Sequence, residues 1–291
     1  FESLNYEDKA EYLYNSEFGI GRETFNKHLR DTYGEKHLNR SAYDFVDKSV
    51  YLLPVIFESG LLITTNYDKV IEKVYGLHEK VITVAHPGHY EALNLALRDG
   101  LLVLYKIHGD IAEPETSIIL TKKQYETGYS EPKLIQTLRQ AYENKAMLFL
   151  GCSMTKDRPL ELLQRISRPG MSNFAIISCK EEDIRARRLE LEENFNTQAI
   201  IYPDGKHEYL RLILEYIARE INPDGYKKAM EKFTDAAAKS KKVYKKDIET
   251  NDVDIINNLH IGLHRYVENK ALEEKLSKKI KIVKNEAKIV V

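Results

Sequence analysis

Three short segments hold residue types that could do chemistry together: Thr64-Thr65-Asn66-Tyr67-Asp68, Lys106-Ile107-His108-Gly109-Asp110 and Gly151-Cys152-Ser153. An asparagine amide both donates and accepts hydrogen bonds, and a carboxylate accepts them. An imidazole can trade a proton near neutral pH. A Gly/Ser turn presents backbone N–H groups and a hydroxyl, which suit phosphate. Asn66 and Asp68 lie two apart, so on a continuing extended chain they point the same way.

Each segment follows an apolar run that reads as a buried strand: Leu61-Leu62-Ile63, Leu102-Val103-Leu104-Tyr105 and Met147-Leu148-Phe149-Leu150. In an open parallel sheet, ligands bind just beyond the carboxyl ends of the strands. The three segments are therefore expected to converge on one crevice able to hold a ribose and a phosphate.

The rest of the chain supplies the elements such a sheet needs. Val81–Val84, Val103–Ile107, Ile118–Leu120, Ala146–Leu150, Phe174–Ser178 and Ala199–Tyr202 read as strands. Pro132–Glu143, Arg158–Ile166, Glu181–Glu193 and His207–Ile221 read as helices, as does Ser41–Phe57, with Ser41 placed to cap it. Continuous apolar strands alternating with helices predict a Rossmann-like α/β fold, a mostly parallel sheet with helices on both faces. Asn222-Pro223-Asp224-Gly225 is a dense turn cluster, expected to close a domain over residues 1–222. Residues 223–291 show no convincing strand before the last few residues and carry 15 Lys and 1 Arg against 11 Asp or Glu, a net +5. The first 222 residues then carry −6, for a total of −1. The plainer reading of that lysine-rich stretch is a solvated face on packed helices. Ile255, Ile256, Leu259, Leu263 and Val267 recur there at helical spacing, and such a stripe needs burial against the core or a second subunit. A helical appendage for homo-oligomerisation or partner docking is the expectation for 223–291.

Composition excludes several classes. A near-neutral chain has no overall electrostatic footprint for nucleic acid, so direct nucleic-acid binding is not expected. No apolar run approaches the roughly 20 residues that span a bilayer. Two cysteines, Cys152 and Cys179, make neither a disulfide framework nor a four-cysteine zinc site, and a cytoplasmic setting is expected.

The order and spacing of these motifs resemble the sirtuin superfamily, in particular its zinc-free bacterial branch of NAD hydrolases from antiphage defence proteins. The likeness lies in Thr64 to Asp68, His108-Gly109 and Gly151 to Ser153. It extends to Leu104-Tyr105-Lys106-Ile107-His108-Gly109-Asp110, to Ile119-Leu120-Thr121 running to Tyr125, and to Ile201-Tyr202-Pro203-Asp204-Gly205. It covers roughly residues 50–220. The resemblance implies an enzyme that splits NAD, as substrate and without zinc, into nicotinamide and ADP-ribose. It implies that His108 is the catalytic base and that Asn66 orients ribose and water. It implies that Asp68 meets the nicotinamide, that Thr65 and Gly109 line the same pocket, and that Gly151 and Ser153 lie against the adenosine and phosphate part. It implies, finally, an NAD-depleting effector held off until infection by assembly or by a partner, either a phage protein or a hexameric ATPase.

One departure is clear. Sirtuin-like domains open on a strand and a Gly-Ala-Gly-x-Ser loop that cradles the pyrophosphate, and no such loop occurs here. Gly19-Ile20-Gly21 does not follow an apolar strand, and the chain opens on Phe1, so the loop is expected to precede Phe1. Two other activities share the motifs: an NAD-dependent protein deacylase and a catalytically silent nucleotide sensor or scaffold. The deacylase usually carries a zinc module that two cysteines cannot build, and a sensor needs no base. Taken singly, His108 could be a strand-end histidine on a carbonyl, Ser153 a helix cap and Cys152 a packing residue. His86 and His89 have metal-compatible spacing but fit a polar loop better. Asp110, Thr121 and Tyr125 are expected to support the fold.

Overall fold

The computed structural model describes residues 3–34, 48–152, 154, 161, 162, 164, 173–239 and 289–290. Its centre is a seven-stranded sheet in which every pairing is parallel. The strands are β1 (Leu61–Thr64), β2 (Thr83–Ala85), β3 (Val103–Lys106), β4 (Met147–Leu150), β5 (Asn173–Cys179), β6 (Thr197–Pro203) and β7 (Ile289–Val290). Their order is β2-β3-β1-β7-β4-β5-β6.

The apolar runs are continuous because both faces of the sheet are covered. Leu61 and Ile63, Val103 and Tyr105, and Met147 and Phe149 point to one face. They pack there on α5 (Tyr90–Asp99), α8 (Pro132–Asn144) and α9 (Ile184–Phe195) through Leu93, Leu134, Leu138, Leu191 and Phe195. The residues between them, Leu62, Leu104 and Leu148, point to the other face. There they meet Val74 and Tyr75 of α4 (Val70–Leu77), Leu214 and Ile217 of α10 (Glu208–Ile221), and α3 (Leu53–Ile56). Each fully buried Leu, Ile or Phe of this kind contributes about 1.5–3 kcal/mol. A third, smaller core joins α1 (Tyr6–Tyr14) and α2 (Arg22–Tyr33) to Ile111 and Ile118. It sets a helical cap beside the carboxyl ends of β1 and β3.

Most predicted elements are present with shifted ends. Ile118–Leu120, between the short helices α6 (Pro114–Ser117) and α7 (Lys122–Gly128), joins no ladder among the described residues, and two of its amides have other acceptors. Ile119 N–H donates to the His108 carbonyl at 2.8 Å, and Leu120 N–H donates to Gln124 Oε1 at 3.0 Å. The strand expected from Val81 begins at Thr83, and Val81 is 91% exposed. Of the helix predicted over Ser41–Phe57, Ser49–Leu52 is a 3₁₀ turn running into α3, and Ser41 lies outside the described residues. The Arg158–Ile166 helix for the most part, and the Ile255–Val267 stripe entirely, also lie outside them.

Beyond α10 the chain bends at Asn222 and runs back as α11 (Pro223–Lys239). The Tyr51 hydroxyl donates to the Ala229 carbonyl, and Lys232 pairs with Glu79 at 2.8 Å. The start of the lysine-rich stretch is thus seated on the α4 and 3₁₀ face of the sheet domain.

Candidate active site

The chain visits β1, then the edge β2, then β3 between them, and crosses to the other half through β4. The strand order therefore turns between β1 and β4, and the carboxyl edge at such a turn is where α/β sheets bind ligands. Within the β1–β3 ladder Thr64 stands beside Lys106. Ile107 N–H donates to the Thr64 carbonyl at 3.0 Å, carrying the ladder one step past the strands. Thr65 and Asn66 consequently leave the sheet next to His108.

Asn66 is exposed, with its backbone N–H fixed by Thr64 Oγ1 at 3.1 Å. The Asp68 carboxylate accepts from Val70 N–H at 2.9 Å and so starts α4, an Asp at a helix N-terminus being well matched to the unpaired amides there. Thr65 is half-buried beside them.

His108 is 8% exposed. Its Nε2 lies 2.7 Å from the Tyr129 hydroxyl, and the Tyr125 ring stands perpendicular to the imidazole at 5.2 Å. Tyr67 closes a further side at 6.3 Å and donates its own hydroxyl to the Ile119 carbonyl at 3.0 Å. Burial lowers the His108 pKa to about 4, opposed by hydrogen bonding with the Thr65 backbone and by the Glu7 carboxylate. Burial therefore favours the neutral ring at physiological pH.

Gly109 needs to be glycine for a reason internal to the chain. Its φ is +95°, and a Cβ would run into the Ser117 carbonyl oxygen. Asp110 then folds the following loop: its N–H donates to Ser117 Oγ at 2.9 Å and its Oδ1 accepts from Ala112 N–H at 2.8 Å. Beneath both loops lies the Lys106 ammonium, bonded to the Tyr67 and Asp68 carbonyls and paired with Glu72 at 2.8 Å and Asp110 at 3.1 Å.

Across the turn in strand order, Gly151 follows β4 with φ +67°, and no described residue stands within 4 Å of where its side chain would be. Cys152 is half-buried, and Ser153 lies outside the described residues. Farther along the same edge an open groove of about 630 Å³ runs past the ends of β5 and β6, lined by Ser178, Cys179, Lys180, Asp183, Arg187 and Asp204 among others. His86 and His89 stack at 4.1 Å, with His86 3.5 Å from Glu113. Among the described residues no group of three or more His, Cys, Asp or Glu could hold a metal ion.

Sequence reasoning passed over Lys106 and Tyr129 as parts of this site. Both left a signal. Lys106 is a charge inside an apolar strand run, and Tyr125 and Tyr129 are four apart, which on a helix places them on one face.

A parallel sheet covered on both sides, with an asparagine turn and a histidine leaving adjacent strands beside the change of strand order, defines a class. Residues 60–200 match the model of the SIR2-like domain family. It is also 27% identical, over 139 residues, to the NAD(+) hydrolase ThsA of Bacillus cereus strain MSX-D12. That match covers 46% of this chain and 28% of the relative's length. No helix among the described residues is long and apolar enough to cross a membrane.

Proposed function

We propose that this protein hydrolyses NAD to nicotinamide and ADP-ribose. The observation that carries the reading is the meeting of a neutral, buried His108 with the Thr65–Asn66 turn, inside a SIR2-like domain similar to an NAD hydrolase. Breaking the bond between ribose C1′ and the nicotinamide nitrogen releases a neutral base and leaves oxocarbenium-like charge on the ribose, as in glycoside hydrolysis. Asn66, exposed at the strand end, orients the ribose hydroxyls and the attacking water. Asp68 gives one oxygen to Val70 N–H and offers the other to the nicotinamide carboxamide. His108 takes up the proton set free when water adds to C1′. Thr65 and Gly109 form the wall around these groups, and Gly151 with Ser153 takes the adenosine and phosphate end.

In this reading the enzyme works in the cytoplasm as an antiphage effector, depleting NAD on infection. Residues 223–291 then serve homo-oligomerisation or docking of an activating partner, a phage protein or an ATPase. Incubating the purified protein with NAD, with and without an acylated peptide, tests the chemistry. Nicotinamide and linear ADP-ribose released without peptide are the expected products. Release that requires the peptide would make the protein a deacylase, and a cyclic product would remove water as acceptor. NAD measured in cells carrying the whole system should fall only after infection.

A further inference from the structure

Lys106 has no exposed surface, and it sits two residues before His108 at the end of a core strand. Taking an ammonium out of water is costly, and an apolar side chain of similar volume is often tolerated as well or better in such a place. The charge must therefore be judged by what it holds. An ammonium has three N–H donors, and four acceptors surround this one. The Tyr67 carbonyl at 3.2 Å and the Asp68 carbonyl belong to the turn after β1, the turn that contains Asn66. Glu72 Oε1, at 2.8 Å, stands in the first turn of α4. Asp110 Oδ2, at 3.1 Å, belongs to the loop that follows His108. None of the four lies on β3 itself.

We infer that Lys106 is a positioning residue: its ammonium clamps the Asn66–Asp68 turn to the His108–Asp110 loop and so fixes the spacing between the two halves of the site. The arrangement calls for a cationic donor at this point. The two carbonyls accept and cannot bond one another, and Glu72 and Asp110 would repel without a cation between them. Burial raises the Glu72 pKa and the Lys106 charge opposes that rise, as expected for two carboxylates sharing one cation. Among the described residues Glu72 Oε2 is buried without a hydrogen-bond partner, and Lys106 is the side chain that holds this carboxylate through Oε1. A misplacement of about 1 Å between reacting groups can cost 10²-fold in rate.

The kinetic arm of the test rests on the NAD-cleavage reading, and a second arm does not. Lys106→Met keeps the length and removes the charge. Its kcat for nicotinamide release should fall about 100-fold with KM changed less than threefold, and Lys106→Arg, which retains charge and donors, should recover at least tenfold of that loss. Independently of NAD, amide hydrogen exchange should quicken in both 66–70 and 110–112 in Lys106→Met. Asp110→Asn, altered on one loop only, should quicken exchange in 66–70 across the strands, an effect that vanishes when Lys106 is already Met. A folded Lys106→Met protein with kcat within threefold of wild type and unchanged exchange would overturn the clamp. So would an Asp110→Asn protein whose 66–70 exchange is unaltered, a result that decides the matter even where Lys106→Met does not fold. Wild-type protein that releases no nicotinamide would sink the proposed activity and leave the exchange arm to decide the clamp.

Discussion

Tyr129 closes one edge of His108: its hydroxyl stands 2.7 Å from Nε2, the nitrogen that receives the proton in the proposed reaction. A neutral imidazole there accepts the phenolic hydrogen, so the resting site is satisfied and shut. In the proposed reaction a substrate hydroxyl or water has to take the place that Tyr129 occupies. Tyr129→Phe should therefore lower the KM for NAD several-fold, because the competing donor is gone. It should also cost about 1–3 kcal/mol of stability through an unpaired buried nitrogen. Steady-state kinetics with urea unfolding check both. A 100-fold fall in kcat would instead place Tyr129 in the path of the proton.

His108→Ala and Asn66→Ala should separate chemistry from folding. Each is expected to reduce nicotinamide release by about 10²–10⁴-fold, the usual loss with a general base or its partner. Their effects on stability should differ. Asn66 is exposed, and its removal should leave the melting temperature within about a degree or two. His108 is buried, and its loss leaves a cavity among Tyr67, Tyr125 and Tyr129 and removes the contact with the Tyr129 hydroxyl, so that variant should melt several degrees lower. Near-normal turnover in a folded His108→Ala protein would place the base elsewhere.

The strand ends were legible because both sheet faces are buried: runs such as Leu61-Leu62-Ile63 have one reading once helices flank them. The Asn66 turn and His108 could be placed on adjacent strand ends for the same reason. Ile118–Leu120 misled because apolar β-branched residues also line a loop that packs on a helical cap, and here they serve α1 and α2. Tyr90–Asp99 was passed over as a helix, although Leu93, Ala96 and Leu97 sit at helical spacing within it. The buried role of Lys106 was beyond reach, since a lone lysine in a strand does not announce which carbonyls surround it. β7 has two residues and no period to read.

Acid should loosen the protein through its histidines. His108 and His78 both have pKa values lowered by burial to about 4, against 6.5 for the free side chain. Between these values the unfolded chain binds protons that the folded chain refuses, so stability rises with pH across the window. The contribution is fully present above pH 6.5 and is lost as pH falls toward 4. For His108 it amounts to about 3 kcal/mol at most. Urea midpoints measured from pH 7.5 to 4.5 should fall accordingly, and less steeply in His78→Leu. Turnover should keep its base form down to about pH 5, so an acid limb centred at pH 6.5 would contradict the buried environment of His108.

Gly109 and Gly151 share a positive φ but differ in what surrounds them, and the difference predicts opposite phenotypes. At Gly109 a methyl group would meet the Ser117 carbonyl, on top of the cost of a left-handed backbone for an L-residue. Gly109→Ala should destabilise by more than about 2 kcal/mol and displace His108, whose carbonyl holds the Ile119 amide in the same turn. At Gly151 no described residue lies within reach of a Cβ, so Gly151→Ala is expected to carry mainly the backbone cost of about 1–2 kcal/mol. If that open space is where the dinucleotide passes, the added methyl fills it. The KM for NAD should then rise at least tenfold while the protein remains folded. Thermal melts paired with saturation curves distinguish the two glycines. A Gly151→Ala protein with unchanged KM would move the adenosine and phosphate end away from β4.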